Sequence, residues 1–128
     1  MRTIDVNTPP SLDPEVFDEL YESVCEQEVA VATLYETFLE NAARLIEALR
    51  AADPDTAREK ALHTLKGSAA MMGATRIARL ATELQRTSAT LEDTRMRDAI
   101  DELVRELATL RQAVDARLAA LGIGLARD

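Results

Sequence analysis

The apolar spacing between Met96 and Leu121 is the feature that most constrains the fold of this chain. Apolar residues recur there at intervals of three or four: Met96, Ile100, Leu103, Leu107, Leu110, Val114, Leu118 and Leu121. That spacing puts them on one stripe of a long α-helix, and such a stripe must be buried against other elements. Gly122 and Gly124 are expected to end this helix.

The rest of the chain is also helical in pattern, and no segment alternates as a strand would. Asp13-Pro14 and Asp53-Pro54 are helix starts, because Asp can cap a helix and Pro fits its first position. Helices are expected from Asp13-Pro14 to about residue 23, from about 27 to 51, and from Asp53-Pro54 toward Met72. A fourth helix is expected after a Thr75 cap, and the last helix carries the stripe from Met96 to Leu121, after a turn-like segment at 88–93. The prediction is an all-α fold, an antiparallel four-helix bundle with a short extra N-terminal helix.

Apolar residues on two of these helices are predicted to face the core. They are Val31, Leu34, Phe38, Leu45 and Leu49 in the second helix, and Ile77, Leu80, Ala81 and Leu84 in the fourth. The bundle is expected to span residues 12–122, between a flexible tail at 1–11 and a second tail at 123–128.

Composition and charge exclude several classes of function. The chain has 128 residues, which suits one domain, and a formal charge of −8, which disfavours a nucleic-acid partner. The N-terminal residues lack the apolar core of a signal peptide. No apolar run elsewhere approaches the ~20 residues that a membrane span needs. The single cysteine, Cys25, cannot form an internal disulfide and is predicted to be a structural residue in a helix. These features predict a cytoplasmic protein without a membrane partner.

The stretch from residue 61 to 74, ALHTLKGSAAMMGA, contains the only histidine and one of the two lysines. On a helical wheel at ~100° per residue, the core side holds Ala61, Leu62, Leu65, Ala69 and Met72. His63 points away from that group, and its own face holds Thr56, Lys60, Gly67, Ala70 and Ala74. That face is small and polar, so the wheel predicts an exposed imidazole.

Gly67 lies one turn after His63, although glycine in a helix costs ~1 kcal/mol relative to alanine. This loss of helix stability is explained if a large group must approach the imidazole at the place that a side chain on residue 67 would occupy. Lys66 can bring a positive charge to that group, and a neutral imidazole is a competent nucleophile. Together they suit a transferable phosphoryl group. Across a hairpin turn at Gly73-Ala74, Gln85 could accept a hydrogen bond from one imidazole nitrogen, although an ordinary surface glutamine fits the spacing equally well.

The residues from His63 to Ala74 resemble the histidine-containing phosphotransfer (HPt) domain, whose pattern is roughly H-x-L-K-G-S-[AS]-x-x-φ-G-A, where φ is apolar. Met71-Met72 replaces the more frequent Asn-apolar pair. The resemblance implies a four-helix bundle with an exposed, phosphorylated His63 supported by Lys66, Gly67 and Gln85.

The same resemblance implies exchange of the phosphoryl group with aspartates of receiver domains, in response regulators and in a hybrid sensor kinase. The receiver would supply the Mg²⁺ and this chain would bind no cofactor. The surface that docks the receiver is predicted to include Lys60, Ser68, Ala70, Ala74 and Ile77. The chain is expected to be a monomer and, because no nucleotide-binding pattern is present, to have no kinase activity of its own.

Three other interpretations remain. The chain could be the phosphoacceptor domain of a chemotaxis-type histidine kinase, or a helical interaction bundle in which His63 is idle. The second leaves Gly67 unexplained. A metal site in the bundle is disfavoured, because Lys60 stands where a Glu-x-x-His pair needs its glutamate and no second histidine exists.

Overall fold

A computed structural model describes residues 9–51, 56–87 and 90–122 of the chain. Its elements are α1 (Pro14–Ser23), α2 (Glu28–Ala51), α3 (Thr56–Met71), α4 (Thr75–Thr87) and α5 (Asp93–Ala120), with no strand in the described ranges. Helix α2 packs on α3 and α5, and α4 also packs on α3 and α5. The predicted all-α fold is confirmed, and α3 and α5 lie diagonally across a ring of four helices.

The ends of the helices follow local capping chemistry. The Asp13 carboxylate accepts a hydrogen bond from the Glu15 backbone N–H at 2.9 Å, and Pro14 is the first residue of α1, as predicted. The predicted cap of α4 is wrong by one residue, because Ala78 N–H donates to the Ala74 carbonyl at 2.9 Å and Thr75 is already helical. The expected start of α3 at 53–55 lies outside the described residues.

The core contains most of the predicted stripes. All of the α5 stripe is buried except Leu107 and Leu121, which are partly buried at its edge. In α2 the centre of the stripe is displaced from the predicted line, so Leu34 is 37% exposed and Leu45 is partly buried. The residues that take the centre are Val31, Tyr35, Phe38, Leu39, Ala42, Ile46 and Leu49.

Gly73 reverses the chain between α3 and α4. Its φ is +74°, in the left-handed region that a side chain disfavours. Ala74 N–H donates to the Ala69 carbonyl at 2.9 Å, and Gly73 N–H donates to the Ala70 carbonyl at 3.3 Å, so the last carbonyls of α3 are satisfied. The start of α1 packs on this turn, because Asp13 N–H donates to the Gly73 carbonyl at 2.8 Å.

The segment before α1 is attached to α4. The Thr75 hydroxyl donates to the Pro10 carbonyl, and Arg76 Nε donates to the Pro9 carbonyl at 2.7 Å. Leu12 is buried in the core. The predicted flexible tail therefore extends too far at its C-terminal end, since residues 9–11 are held in place. Residues 1–8 and 123–128, the remainder of the predicted tails, lie outside the described residues.

Tyr35 joins α2 to the same turn from the core. Its ring stacks on Phe17 with centroids 5.3 Å apart, and its hydroxyl donates to the Met72 carbonyl at 2.9 Å. Burial raises the pKa of the Tyr35 phenol, with Asp13 and Asp18 adding to the effect, so the hydroxyl remains a hydrogen-bond donor. The α3–α4 turn is thus held by α1 and α2 together.

One further finding concerns the connection between α1 and α2. Cys25 is exposed and lies between α1 and α2 with φ +57°, so the prediction of a structural cysteine inside a helix is wrong.

Across the ranges 9–51, 56–87 and 90–122, none of the helices is long and apolar enough to span a bilayer.

Candidate functional site

His63 lies in the middle of α3 and is exposed, as the wheel predicts. The opposite side of the helix is anchored in the core by Leu62, Leu65 and Ala69, each 0% exposed. Ala61 is partly buried against the same core, and Met72, just after the helix, is 9% exposed. The buried side fixes the rotation of α3, and this rotation directs the imidazole into solvent.

Gly67 is exposed one turn after His63, and its surroundings are open. A Cβ atom built on Gly67 would meet nothing within 4 Å outside the local helix backbone. The glycine is therefore not needed for close packing between helices. Its absent side chain leaves open surface beside the imidazole.

The two lysines lie on either side of His63 along α3. Lys66 is half-buried, and Lys60 is exposed. Neither ammonium has a carboxylate oxygen within 4.0 Å in the described part of the chain, where ion pairs are formed by arginines, as in Arg50–Asp101 and Arg117–Asp18. Both lysine charges are therefore available to an incoming anion.

Ser68 is half-buried, and its hydroxyl serves the helix itself. Its Oγ lies 3.0 Å from the Thr64 carbonyl, to which it donates, and 3.3 Å from the Leu65 carbonyl. Its only proton is thus used within α3. Ser68 can contribute an edge to a docking surface, whereas Ala70 is exposed and belongs to the open face.

The prediction that Ala74 and Ile77 belong to the docking surface is wrong. They are 0% and 1% exposed, respectively, and both are part of the core. The wheel that placed Ala74 beside His63 assumes one continuous helix. Because α3 ends at Met71 and the chain reverses at Gly73, Ala74 points inward instead.

Gln85 lies on α4, the neighbour of α3, and is half-buried. No hydrogen bond between Gln85 and His63 is formed within the ranges that the structure describes. The role of Gln85 as an acceptor for an imidazole N–H therefore stays a prediction.

An apolar groove beside the histidine face did not follow from the sequence. It runs between α2 and the C-terminal half of α3 and ends at the α1–α2 connection. Its main apolar lining residues are Val24, Ala30, Leu34, Phe38 and Met71. Met71 is 74% exposed, which is unusual for a large apolar residue. The sequence feature that could have indicated the groove is Met71, a large apolar residue one turn beyond Gly67 on the face of α3 opposite the core.

A comparison with known protein families shows which family the chain belongs to. The model of the Hpt domain matches residues 32–117, a range that contains the described parts of α3 and α4 with His63, Lys66 and Gly67. The chain belongs to the Hpt domain family. Hpt domains are phosphotransfer carriers of two-component signalling and are not kinases. No curated protein and no solved structure matches the chain.

Proposed function

We propose that His63 of this Hpt domain carries a phosphoryl group and exchanges it with aspartates of receiver domains in a phosphorelay. The observation that carries the proposal is the exposed imidazole of His63 on an anchored helix, beside the open surface at Gly67. An interaction bundle with an idle histidine would give no reason for that open surface. Mid-helix glycine costs ~1 kcal/mol relative to alanine, and at Gly67 no packing contact requires it.

The transfer needs little from this chain beyond position and charge. An imidazole nitrogen of His63 attacks phosphorus in line, the new N–P bond forms, and the P–O bond to the aspartate breaks, leaving a carboxylate on the partner. Return of the phosphoryl group reverses these changes. The Mg²⁺ and the acidic pocket belong to the receiver in this proposal, and no step requires ATP.

Lys66 is proposed to meet the phosphoryl oxygens. It lies three residues after His63, close enough on a helix for the two side chains to be neighbours. Its half-buried position restricts the side chain, and no carboxylate of the described residues is within 4.0 Å of its ammonium to compete for it. A charge-assisted contact of this kind is worth about 1.5–3 kcal/mol. Gln85 is proposed to orient the imidazole once the partner is bound.

The receiver contact is proposed to cover the open face of α3 and to continue into the adjoining groove. Lys60, Gly67, Ala70 and Met71 form the exposed part, and Ser68 lies at its edge. Exposed apolar surface next to the reactive imidazole gives a partner area to bury, and burial of apolar area is the main favourable term in association.

The test is transfer from a phosphorylated receiver domain. The wild-type chain should acquire label that is lost in acid and kept in base, which is characteristic of phosphohistidine. His63→Gln should keep the helical circular dichroism of the wild type and acquire no label. Label retained on that variant would refute the assignment of His63.

A second arm separates a carrier from a kinase. The purified chain incubated with Mg-ATP alone should remain unlabelled. Label appearing without a receiver would show kinase activity and would contradict the proposed carrier role.

A further inference from the structure

The use of lysine in this chain is restricted to one surface. Of 15 basic residues only Lys60 and Lys66 are lysines, and they lie three residues before and three residues after His63. An i, i+3 spacing places neighbouring side chains on one face of a helix. Both lysine side chains are therefore within reach of the imidazole, in a chain whose formal charge is −8.

The sequence of α3 leaves both lysines without an internal acidic partner. The positions three and four residues from Lys60 hold Thr56, Ala57, His63 and Thr64, and those around Lys66 hold Leu62, His63, Ala69 and Ala70. Arginines elsewhere do have such partners, as in Arg50–Glu47 and Arg86–Glu83. The nearest acid in sequence is Glu59, which is exposed four residues before His63.

The two lysines differ in exposure, and this difference separates their roles. Lys66 is half-buried, so its charge is less screened and acts at contact distance. Lys60 is exposed, so it is poorly placed to stabilise a transition state in water. An exposed charge at the edge of a contact surface acts mainly on the rate of association and on its salt dependence.

We infer that Lys60 speeds the association of His63 with an acidic receiver surface and takes no part in the chemical step. This inference rests on the proposed function. The partner surface that it attracts is the one around the phosphorylated aspartate of the receiver, which carries net negative charge. The overall charge of this chain repels such a partner, so approach is favoured where Lys60 and Lys66 lie.

The experiment measures transfer from receiver domains phosphorylated with acetyl phosphate and Mg²⁺, using the full chain and the receiver that transfers fastest. Lys60→Gln should lower the second-order rate constant about 3- to 10-fold at low ionic strength. The rate at saturating receiver should be unchanged. The loss should disappear near 1 M salt, where the screening length falls to about 3 Å.

Three variants serve as controls. Lys60→Arg should retain the wild-type rate, because it retains the charge. Glu59→Gln should raise the second-order rate constant, since it removes the opposite charge from the same face. Arg105→Gln makes the same charge change on α5, diagonally across the ring from α3, and should have little effect.

Equal rates for Lys60→Gln and Arg105→Gln at low salt would overturn the inference. So would a loss in the saturated rate, because that would place Lys60 in the chemical step. Chemical phosphorylation with phosphoramidate, in which ammonia leaves as the N–P bond to His63 forms, needs no partner. Labelling of His63 by phosphoramidate, without transfer from any receiver, would overturn the proposed relay itself and this inference with it.

Discussion

Two glycines of the same hairpin, Gly67 and Gly73, are present for opposite reasons. At Gly67 an added Cβ atom would meet nothing within 4 Å, and the backbone is helical. At Gly73 the φ is +74°, and an added Cβ would lie 2.9 Å from Val16 Cβ and 3.3 Å from the Asp13 carbonyl oxygen. The first glycine leaves open surface beside His63, and the second lets the chain reverse where α1 packs on the turn.

The difference distinguishes the buried turn at Gly73, which stabilises the bundle, from the exposed face of α3 around Gly67. The turn at Gly73 is buried and bonded to α1 and to Tyr35, whereas the face around Gly67 is exposed. Changes at the turn are therefore expected to alter stability, and changes on the face are expected to alter transfer.

Replacement of the crowded glycine should have the largest effect. Gly73→Ala should lower the free energy of unfolding by about 2–4 kcal/mol, since a left-handed backbone costs a side chain ~1–2 kcal/mol and overpacking adds ~1–3 kcal/mol. Urea denaturation measures the change, with Gly67→Ala as the matched control. A loss below about 0.5 kcal/mol at Gly73 would mean that Val16 and the turn adjust freely, and the contrast would fail.

A long side chain on the open glycine should affect transfer alone. Gly67→Gln should lower the rate of transfer to His63 about 10- to 100-fold, because its atoms occupy the space through which phosphorus must approach the imidazole in line. The urea midpoint should hold or rise, since glutamine favours the helix more than glycine does. A variant that unfolds would show that Gly67 packs against another helix. Normal transfer by a stable variant would show that the partner approaches elsewhere.

The bond that links α2 to the turn should matter less than Gly73. Tyr35→Phe removes the donor to the Met72 carbonyl and should lower the free energy of unfolding by about 1–2 kcal/mol. Transfer by the folded variant should stay near the wild-type rate. A loss of transfer without loss of stability would show that the turn also positions the imidazole.

The stability difference between wild type and Tyr35→Phe should also depend on pH, and the sign of that dependence follows from the Tyr35 pKa. Because burial raises the pKa of Tyr35 above its ordinary value of 10.0, the folded state keeps its proton where the unfolded state loses it. Tyr35 thus contributes stability that is complete below pH 10 and decreases as pH rises above it. The stability difference between wild type and Tyr35→Phe should shrink above that pH. A difference that stays constant would contradict the burial effect.

The smallest expected effect is a gain in stability on replacing the open glycine by alanine. Gly67→Ala should raise the free energy of unfolding by up to ~1 kcal/mol, because the site is helical and open. Transfer should fall less than in Gly67→Gln, since a methyl group fills less of the approach. Thermal and urea denaturation check the sign, and a destabilised Gly67→Ala would remove the contrast with Gly73.

Local periodicity was enough to predict that His63 is exposed. The apolar spacing in α3 puts Leu62, Leu65 and Ala69 on one side, and the structure confirms that His63 lies on the other. A helix has a fixed angle per residue, so residues within a few turns are related without any knowledge of the fold. The same reasoning predicted the α5 stripe, whereas the family followed from the resemblance of the motif between His63 and Ala74.

The prediction failed where the chain leaves the helix. Ala74 is buried because the positive φ of Gly73 breaks the continuous wheel that placed it beside His63. Ile77 is buried with the core-facing stripe of α4, to which the sequence also assigned it. Cys25 is exposed in a connection for a similar reason, since its own φ is +57°. A periodic pattern gives no direction to a side chain beyond the last helical residue.

The sequence by itself determined that the chain is helical, that the α5 stripe faces inward and that His63 faces outward, since each depends on residues a few positions apart. Only the tertiary structure decided that Gly73 is crowded by Val16 and that Gly67 is open. It also decided that Pro9 and Pro10 are bonded to α4 and that Met71 lines a groove. These facts depend on distances between residues far apart in the chain, and those distances are fixed only when the stripes of different helices pack together.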